Sequence, residues 1–324
     1  MSEIVLWGGI FVISLAILMK ASDYFTESAE KIGMFFKLPA FVIGVTIVAL
    51  GTSLPELVSS VLAVLKNHSE IVAGNVIGSN ITNIFLVLGI VAIVSTKRKF
   101  SQKVVGTDLL ALLGSTLLII IAMMDREFTF FEGVLCVLGL FLFLYHTVFS
   151  KHGNWIEKLE MKSDIEEDLE VEKINKFPGG SLLVLIGSSI FIFLGAKYTI
   201  ESVVYFSNLI QIGTEIIAAS VVALGTSLPE LAVSLAAARK GNIEIAVGNI
   251  LGSNVFNAFA VMGISAMVGT LIIPENILFF GIPMMVAATF MYVFVVRDQK
   301  IKKWEGVFLL IFYVFYIGKL FGWI

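Results

Sequence analysis

The chain has 324 residues, 58% of them hydrophobic, and a mean hydropathy of +0.96, well above the roughly 45–50% apolar usage of soluble domains. This excludes an ordinary soluble enzyme or binding module and marks a polytopic membrane protein embedded in lipid. The net charge of -3 says nothing useful about a partner; no basic block of nucleic-acid type appears, so no nucleic-acid partner is expected.

Ten apolar runs long enough to span a hydrocarbon core fall near 4–19, 39–65, 71–94, 104–124, 128–149, 180–205, 213–238, 245–272, 277–296 and 304–321. The N-terminus opens on Glu3 rather than a basic region and has no small-residue cleavage site before Lys20, so the first run is expected to persist as a helix. The sixth carries Lys197 and Glu201 at its end, which suits a tilted helix leaving the bilayer. Cys136, the single cysteine, lies in an apolar run and reads as a small buried hydrophobe. Asp23, Glu27, Glu30, Asp108 and Glu132 fall near span ends and read as interfacial. Glu70 and Glu244 open the third and eighth runs, where an acid suits a helix N-terminus. His68, His146 and His152 have no metal-ligand spacing.

Between the fifth and sixth runs, residues 151–177 form the one long polar stretch, with an acidic cluster from Asp164 to Glu172. It reads as a solvated linker or short surface helix between two five-helix halves, 1–150 and 178–324. With the N-terminus outside, the inner loops hold Lys and Arg residues such as Lys97, Arg98, Lys99, Arg239, Lys240, Arg297 and Lys300, while the outer side keeps only Lys66, Arg126, Lys197 and Lys319. That asymmetry puts both termini outside and the linker in the cytoplasm of a cell-membrane protein.

The sequence Gly51-Thr52-Ser53-Leu54-Pro55-Glu56 returns unchanged as Gly225-Thr226-Ser227-Leu228-Pro229-Glu230, 174 residues later. The register holds without a gap from Val48 to Ile90 against Val222 to Ile264, within repeat regions 44–90 and 218–264, and about half the aligned positions are identical. Gly74-Asn75 meets Gly248-Asn249, Gly78-Ser79-Asn80 meets Gly252-Ser253-Asn254, and Asn83 meets Asn257. An odd number of helices per half makes the second copy enter the membrane from the opposite face, which is an inverted repeat. The expected fold is therefore all-α, ten transmembrane helices in two inverted five-helix repeats, broken at the motifs.

The chemistry follows from the residue types. Pro55 and Pro229 lack an N–H and crowd the carbonyl four residues earlier, so the helices should open near Gly51-Thr52 and Gly225-Thr226. Irregular backbone at membrane depth survives only inside protein, at a wet cavity or against a ligand. Thr52, Ser53 and Glu56 add oxygens at one break and Thr226, Ser227 and Glu230 at the other. Oxygen ligands without histidine or cysteine select hard cations. Glu56 and Glu230 together offer about two negative charges, matching one Ca2+ with its roughly six to eight oxygens. Unoccupied, the two acids repel, so Na+ or H+ must replace departing Ca2+. Ser79, Ser253, Asn83 and Asn257 on the partner helices add polar groups, the asparagines as direct contacts or as lining. Gly74, Gly78, Gly248 and Gly252 allow close helix approach.

At these residues the sequence resembles the Ca2+/cation antiporter superfamily, in its prokaryotic Na+/Ca2+ exchanger branch; GTSLPE and GNxxGSNxxN occur in both halves. The resemblance implies a monomeric exchanger that needs no cofactor. Its second, third, seventh and eighth helices form a cation-binding core, and its first and sixth a sliding gate. It also implies that Glu56 and Glu230 are central ligands shared by Ca2+ and Na+, with carbonyls from Thr52 and Thr226. Ser53, Ser227, Ser79 and Ser253 match hydroxyl ligands of flanking Na+ sites, Ala49 and Ala223 carbonyl donors there, and Asn83 and Asn257 the polar pair at the midpoint. Some relatives, including the K+-dependent branch, carry aspartate at the position of Asn257, so no K+ requirement is expected here. An H+/Ca2+ exchanger remains the alternative reading, and a cation channel a more remote one. An intramembrane enzyme with Ser53 and Ser227 as nucleophiles is disfavoured because no His or Lys neighbours either motif.

Overall fold

In the computed structural model, residues 2–36, 38–95, 106–150, 178–209 and 223–324 are described. The linker 151–177, the basic stretch around Lys97 to Lys103 and the start of the seventh run, 213–222, lie outside them. In lipid the backbone must satisfy its own hydrogen bonds, so the apolar runs become helices. In chain order these are α1 (Ser2–Phe35), α2 (Ala40–Leu65), α3 (Glu70–Val94), α4 (Gly106–Ala122), α5 (Phe130–Val148), α6 (Gly179–Leu209), α7 (223–239), α8 (Ile243–Val268), α9 (Ile277–Arg297) and α10 (Lys303–Leu320). Two short strands, β1 (Glu127–Phe128) and β2 (Leu271–Ile272), pair antiparallel. Among the described residues, α1, α2, α3, α5, α8 and α9 are long and apolar enough to cross a membrane, and α4 and residues 179–195 of α6 are shorter apolar helices.

Burial ranks the helices. The most apolar windows of α3 and α8 are 83% and 89% buried, against 18% for α1 and 28% for α5. The two helices that carry GNxxGSNxxN therefore form the centre of the molecule, and α1 and α5 lie towards its lipid-facing outside. The glycines make that centre tight. A side chain on Gly248 would meet the Phe41 carbonyl, one on Gly252 the Val45 carbonyl, and one on Gly44 the Ile245 carbonyl. Helices α2 and α8 thus touch backbone to backbone, which brings dispersion contacts that lipid cannot replace. Gly74 is looser, its nearest neighbour being Ile277 Cδ1 at 3.8 Å.

Two features depart from the hydropathy reading. Helix α1 does not end near residue 19 but continues to Phe35, carrying Lys20, Asp23, Glu27 and Glu30 along it. Hydropathy marks where lipid ends, whereas a helix continues into water as long as its own ladder is intact. Asp108, expected at an interface, is only 1% exposed, enclosed where α4 packs on α8 and α9 with the Tyr292 ring nearby. Glu132 does mark a helix start, where it caps α5 reciprocally with Thr129. Cys136 is fully buried.

The turns gather at two ends. At one, β1 pairs with β2, Arg126 pairs with Glu275 at 2.9 Å, and the Ile272 N–H donates to Ser69. At the other, Glu30 accepts from the Asn242 amide at 2.9 Å and Lys240 reaches the Asp23 carbonyl at 3.3 Å, tying the end of α1 to the α7–α8 turn.

Candidate cation-binding site

The two repeated motifs break their helices alike. In α2 a first segment ends at Thr52, Ser53 adopts φ -88° and ψ 4°, and a new helix starts at Leu54. In α7 the first segment ends at Thr226, Ser227 adopts φ -81° and ψ 2°, and a new helix starts at Leu228. Pro55 and Pro229 sit in the first turn of the second segment, where a missing N–H costs nothing. The break thus centres on the serine, one or two residues beyond the Gly-Thr pair. Two consequences follow. Thr52 and Thr226 end segments whose last carbonyls carry partial negative charge, and Glu56 and Glu230 stand in first turns, where exposed N–H groups favour a carboxylate.

All the polar side chains named from the sequence as cation ligands are buried. Glu56, Glu230, Thr52, Ser53, Ser79, Ser253, Asn83 and Asn257 are 0% exposed, Ser227 1% and Thr226 2%. Glu56 and Glu230 lie near enough to repel each other. The halves interleave: Ser53 of α2 donates to Glu230 Oε1 at 2.9 Å, Thr52 lies 3.4 Å from Ser253 Oγ of α8, and Thr226 of α7 lies 3.3 Å from Ser79 Oγ of α3.

Several buried oxygens have no hydrogen-bond partner among the described residues. Among them are both oxygens of Glu56, Glu230 Oε2, Ser227 Oγ, Asn83 Oδ1 and Asn257 Oδ1. An orphaned buried acceptor costs about 1–3 kcal/mol, and more when charged, so a cluster of them marks a place built for a partner that is not a side chain. Oxygen donors alone, with two carboxylates, suit a hard cation.

Some expected members stand apart. The Ala49 carbonyl accepts the Ser53 N–H at 3.0 Å and lies 3.3 Å from the Thr52 hydroxyl, so its helical partner is retained. Ala223 opens the described part of α7. Asn83 makes no hydrogen bond to the rest of the set, whereas Asn257 Nδ2 donates to Asn80 Oδ1 at 3.2 Å. Asn83 and Asn257 each begin a π-helical stretch, Asn83–Leu88 and Asn257–Val261, a local widening often found at functional sites. Sequence reasoning gave no role to Asn75, Asn249, Asn80, Asn254, Ser60 or Ser234, which pack around the site; their recurrence at the repeat spacing was the available signal.

Broken helices meeting at a buried pair of acids, inside a bundle of membrane-crossing helices, define an integral membrane ion transporter. The family model for "Sodium/calcium exchanger protein" matches residues 6–149 and 180–321, and the chain belongs to that family. It is 35% identical to the sodium/calcium exchanger MaX1 of Methanosarcina acetivorans, over 96% of this chain and 97% of that one. It is 33% identical to the uncharacterized membrane protein MJ0091 of Methanocaldococcus jannaschii, over 98% and 99%. A solved structure of the sodium-calcium exchanger NCX_Mj, soaked with 10 mM Na+ and 10 mM Sr2+, superposes with a TM-score of 0.80 at 30% identity, covering 97% of this chain and 98% of that one.

Proposed function

We propose that the chain exchanges Ca2+ for Na+ by alternating access, with the cations bound at mid-membrane between Glu56 and Glu230. The observation that carries this reading is the buried acid pair with its unpartnered oxygens, fed equally from two broken helices. Two carboxylates match one Ca2+ or a set of Na+ ions in charge, and only one kind of load at a time relieves their repulsion. That mutual exclusion is what couples the fluxes. The central ligands are Glu56 and Glu230, with the Thr52 and Thr226 carbonyls. Ser53, Ser227, Ser79, Ser253 and the Ala49 and Ala223 carbonyls serve flanking Na+, and Asn83 and Asn257 complete the middle. Every one of these groups comes from a single chain, so a monomer suffices.

The ten helices cross the cell membrane as two inverted repeats, 1–150 and 178–324, joined by a cytoplasmic linker at 151–177, with both termini outside. The grouping of turns supports this arrangement. Ser69, Arg126, Ile272 and Glu275 share one end, Asp23, Glu30, Lys240 and Asn242 the other, as the count of Lys and Arg requires. Helices α1 and α6 form the moving pair. They stack through Trp7 and Tyr205 at 5.3 Å, and Gly195 lies against the α1 backbone at Ser14 and Leu18.

Purified protein in vesicles loaded with Na+ should take up radioactive Ca2+ when external Na+ is low, and lose uptake when the Na+ gradient is removed. Uptake that ignores Na+ but follows a pH gradient would replace this reading with H+/Ca2+ exchange.

A further inference from the structure

Two three-residue chains of hydrogen bonds stand behind the site, one in each half, and both have the same sense. Asn75 Nδ2 donates to Ser60 Oγ at 3.1 Å, and Asn75 Oδ1 accepts the Thr226 hydroxyl at 3.1 Å. In the other half Asn249 Nδ2 donates to Ser234 Oγ at 2.9 Å, and Asn249 Oδ1 accepts the Thr52 hydroxyl at 3.2 Å. All four added residues are buried: Ser60 is 1% exposed, Asn75 2%, and Ser234 and Asn249 0%. Each chain crosses between the halves, since Ser60 and Asn75 lie in the first and Thr226 in the second. Both are made in full, although the neighbouring Ser53–Glu230 bond is made in one half only.

Proton accounting gives these chains a direction. An amide nitrogen only donates and an amide oxygen only accepts. With the nitrogen of Asn75 on Ser60, its oxygen faces Thr226 and draws the hydroxyl proton there. With its proton on Asn75, the Thr226 oxygen faces Ser79 as an acceptor at 3.3 Å. In that arrangement Ser79 turns its own proton towards Thr226 and leaves its lone pairs for the cavity. The same steps run from Ser234 through Asn249 and Thr52 to Ser253 at 3.4 Å. In that half the Thr52 proton is also within 3.3 Å of the Ala49 carbonyl, which likewise points it away from Ser253.

We infer that Asn75 and Asn249, anchored by Ser60 and Ser234, are positioning residues that make Ser79 and Ser253 obligate acceptors and so set the affinity for Na+. The inference rests on the Na+/Ca2+ reading of the site above. Without the amide, the threonine and serine protons are free to turn inward and bond the carboxylates, competing with bound cations. Na+ depends more on hydroxyl oxygens than Ca2+, which takes the carboxylates, so the loss falls on Na+ first.

The test is Asn75→Ala, Asn249→Ala and the milder Ser60→Ala and Ser234→Ala in the full-length protein. Purified variants are titrated with Na+ and with Ca2+ separately, reading cation protection against thermal unfolding, and then assayed for exchange in vesicles. The expected result is a rise of about three- to tenfold in the Na+ concentration needed, the scale of one lost hydrogen bond, with a smaller change for Ca2+. Asn75→Ala combined with Ser60→Ala should add little to Asn75→Ala alone. Should the asparagine variants fail to fold, the two serine variants carry the test. Equal shifts for Na+ and Ca2+, or no shift in folded protein, would overturn the inference while leaving exchange by the unaltered protein intact. Absence of Na+-driven uptake in the unaltered protein would instead overturn the reading on which it rests.

Discussion

Ser53 donates its hydroxyl to Glu230 Oε1 at 2.9 Å, whereas Ser227, 174 residues on, donates to no partner among the described residues and makes no matching bond to Glu56. Sequence repetition makes the two positions equivalent, and the fold holds them in different states. The same imbalance recurs at the asparagines, where Asn257 reaches Asn80 but Asn83 does not reach Asn254. Of these two serines only Ser53 has a side-chain bond to lose. Ser53→Ala should therefore lower the melting temperature more than Ser227→Ala, in line with the roughly 0.5–1.5 kcal/mol of a typical hydrogen bond. Equal melting temperatures for the two variants would contradict the difference between the halves.

In the proposed exchange Glu56 and Glu230 carry the charge that binds the cation. Glu56→Gln and Glu230→Gln should each reduce Na+-driven Ca2+ uptake to background while the protein still reaches the membrane, because a neutral amide cannot balance a divalent cation at this depth. Near-normal flux in either variant, measured against expression by immunoblot, would argue against a shared site.

A third charge at the midpoint should behave differently in the two halves. In Asn257→Asp the new carboxylate faces the Asn80 carbonyl oxygen, where an amide now donates at 3.2 Å, so Asn80 must turn over and give up its bond to the Asn254 carbonyl. Asn83→Asp breaks no such bond. Asn257→Asp should thus be the less stable variant, and its Ca2+ uptake should acquire a dependence on K+ or pH. Flux measurements with K+ and pH varied independently test this, and unchanged ion dependence would remove the midpoint charge from the selectivity argument.

Close packing at α8 makes its glycines unequal to those of α3. Gly252→Ala places a methyl group on the Val45 backbone, whereas Gly74→Ala meets only Ile277 at 3.8 Å. The first should cost about 1–3 kcal/mol and give poorly folded material on size-exclusion chromatography; the second should elute as the unaltered protein does.

Orientation has a simple test because Cys136 is fully buried. A membrane-impermeant maleimide applied to intact cells should label Glu275→Cys and not Lys300→Cys, both positions being exposed. Labelling of Lys300→Cys alone would invert the topology.

The amino-acid order determined a great deal here. Long apolar runs leave the backbone no choice but helix in lipid, and a proline beside an acid within such a run can only mean a break with a purpose. Repetition at a fixed spacing then set Glu56 beside Glu230 as equivalent positions, and in the fold Thr52 lies against Ser253 and Thr226 against Ser79. Helix ends were less legible, since hydropathy reports solvent and not hydrogen bonding, and α1 accordingly runs on to Phe35. Asp108 stands in the first turn of α4, near a span end as expected, but its place in the sequence says nothing about which helices close over it, and the packing of α4 on α8 and α9 encloses it.

What tertiary structure alone decided is which of two equivalent partners each polar group takes. The motif residues are the same in both copies, so the Ser53–Glu230 bond without its mirror image arises from how the two halves pack. The relay through Asn75 and Asn249 likewise needs residues from both halves held within hydrogen-bonding distance. Sequence names the donors and acceptors; distance and angle, which a hydrogen bond requires, exist only once the helices are assembled.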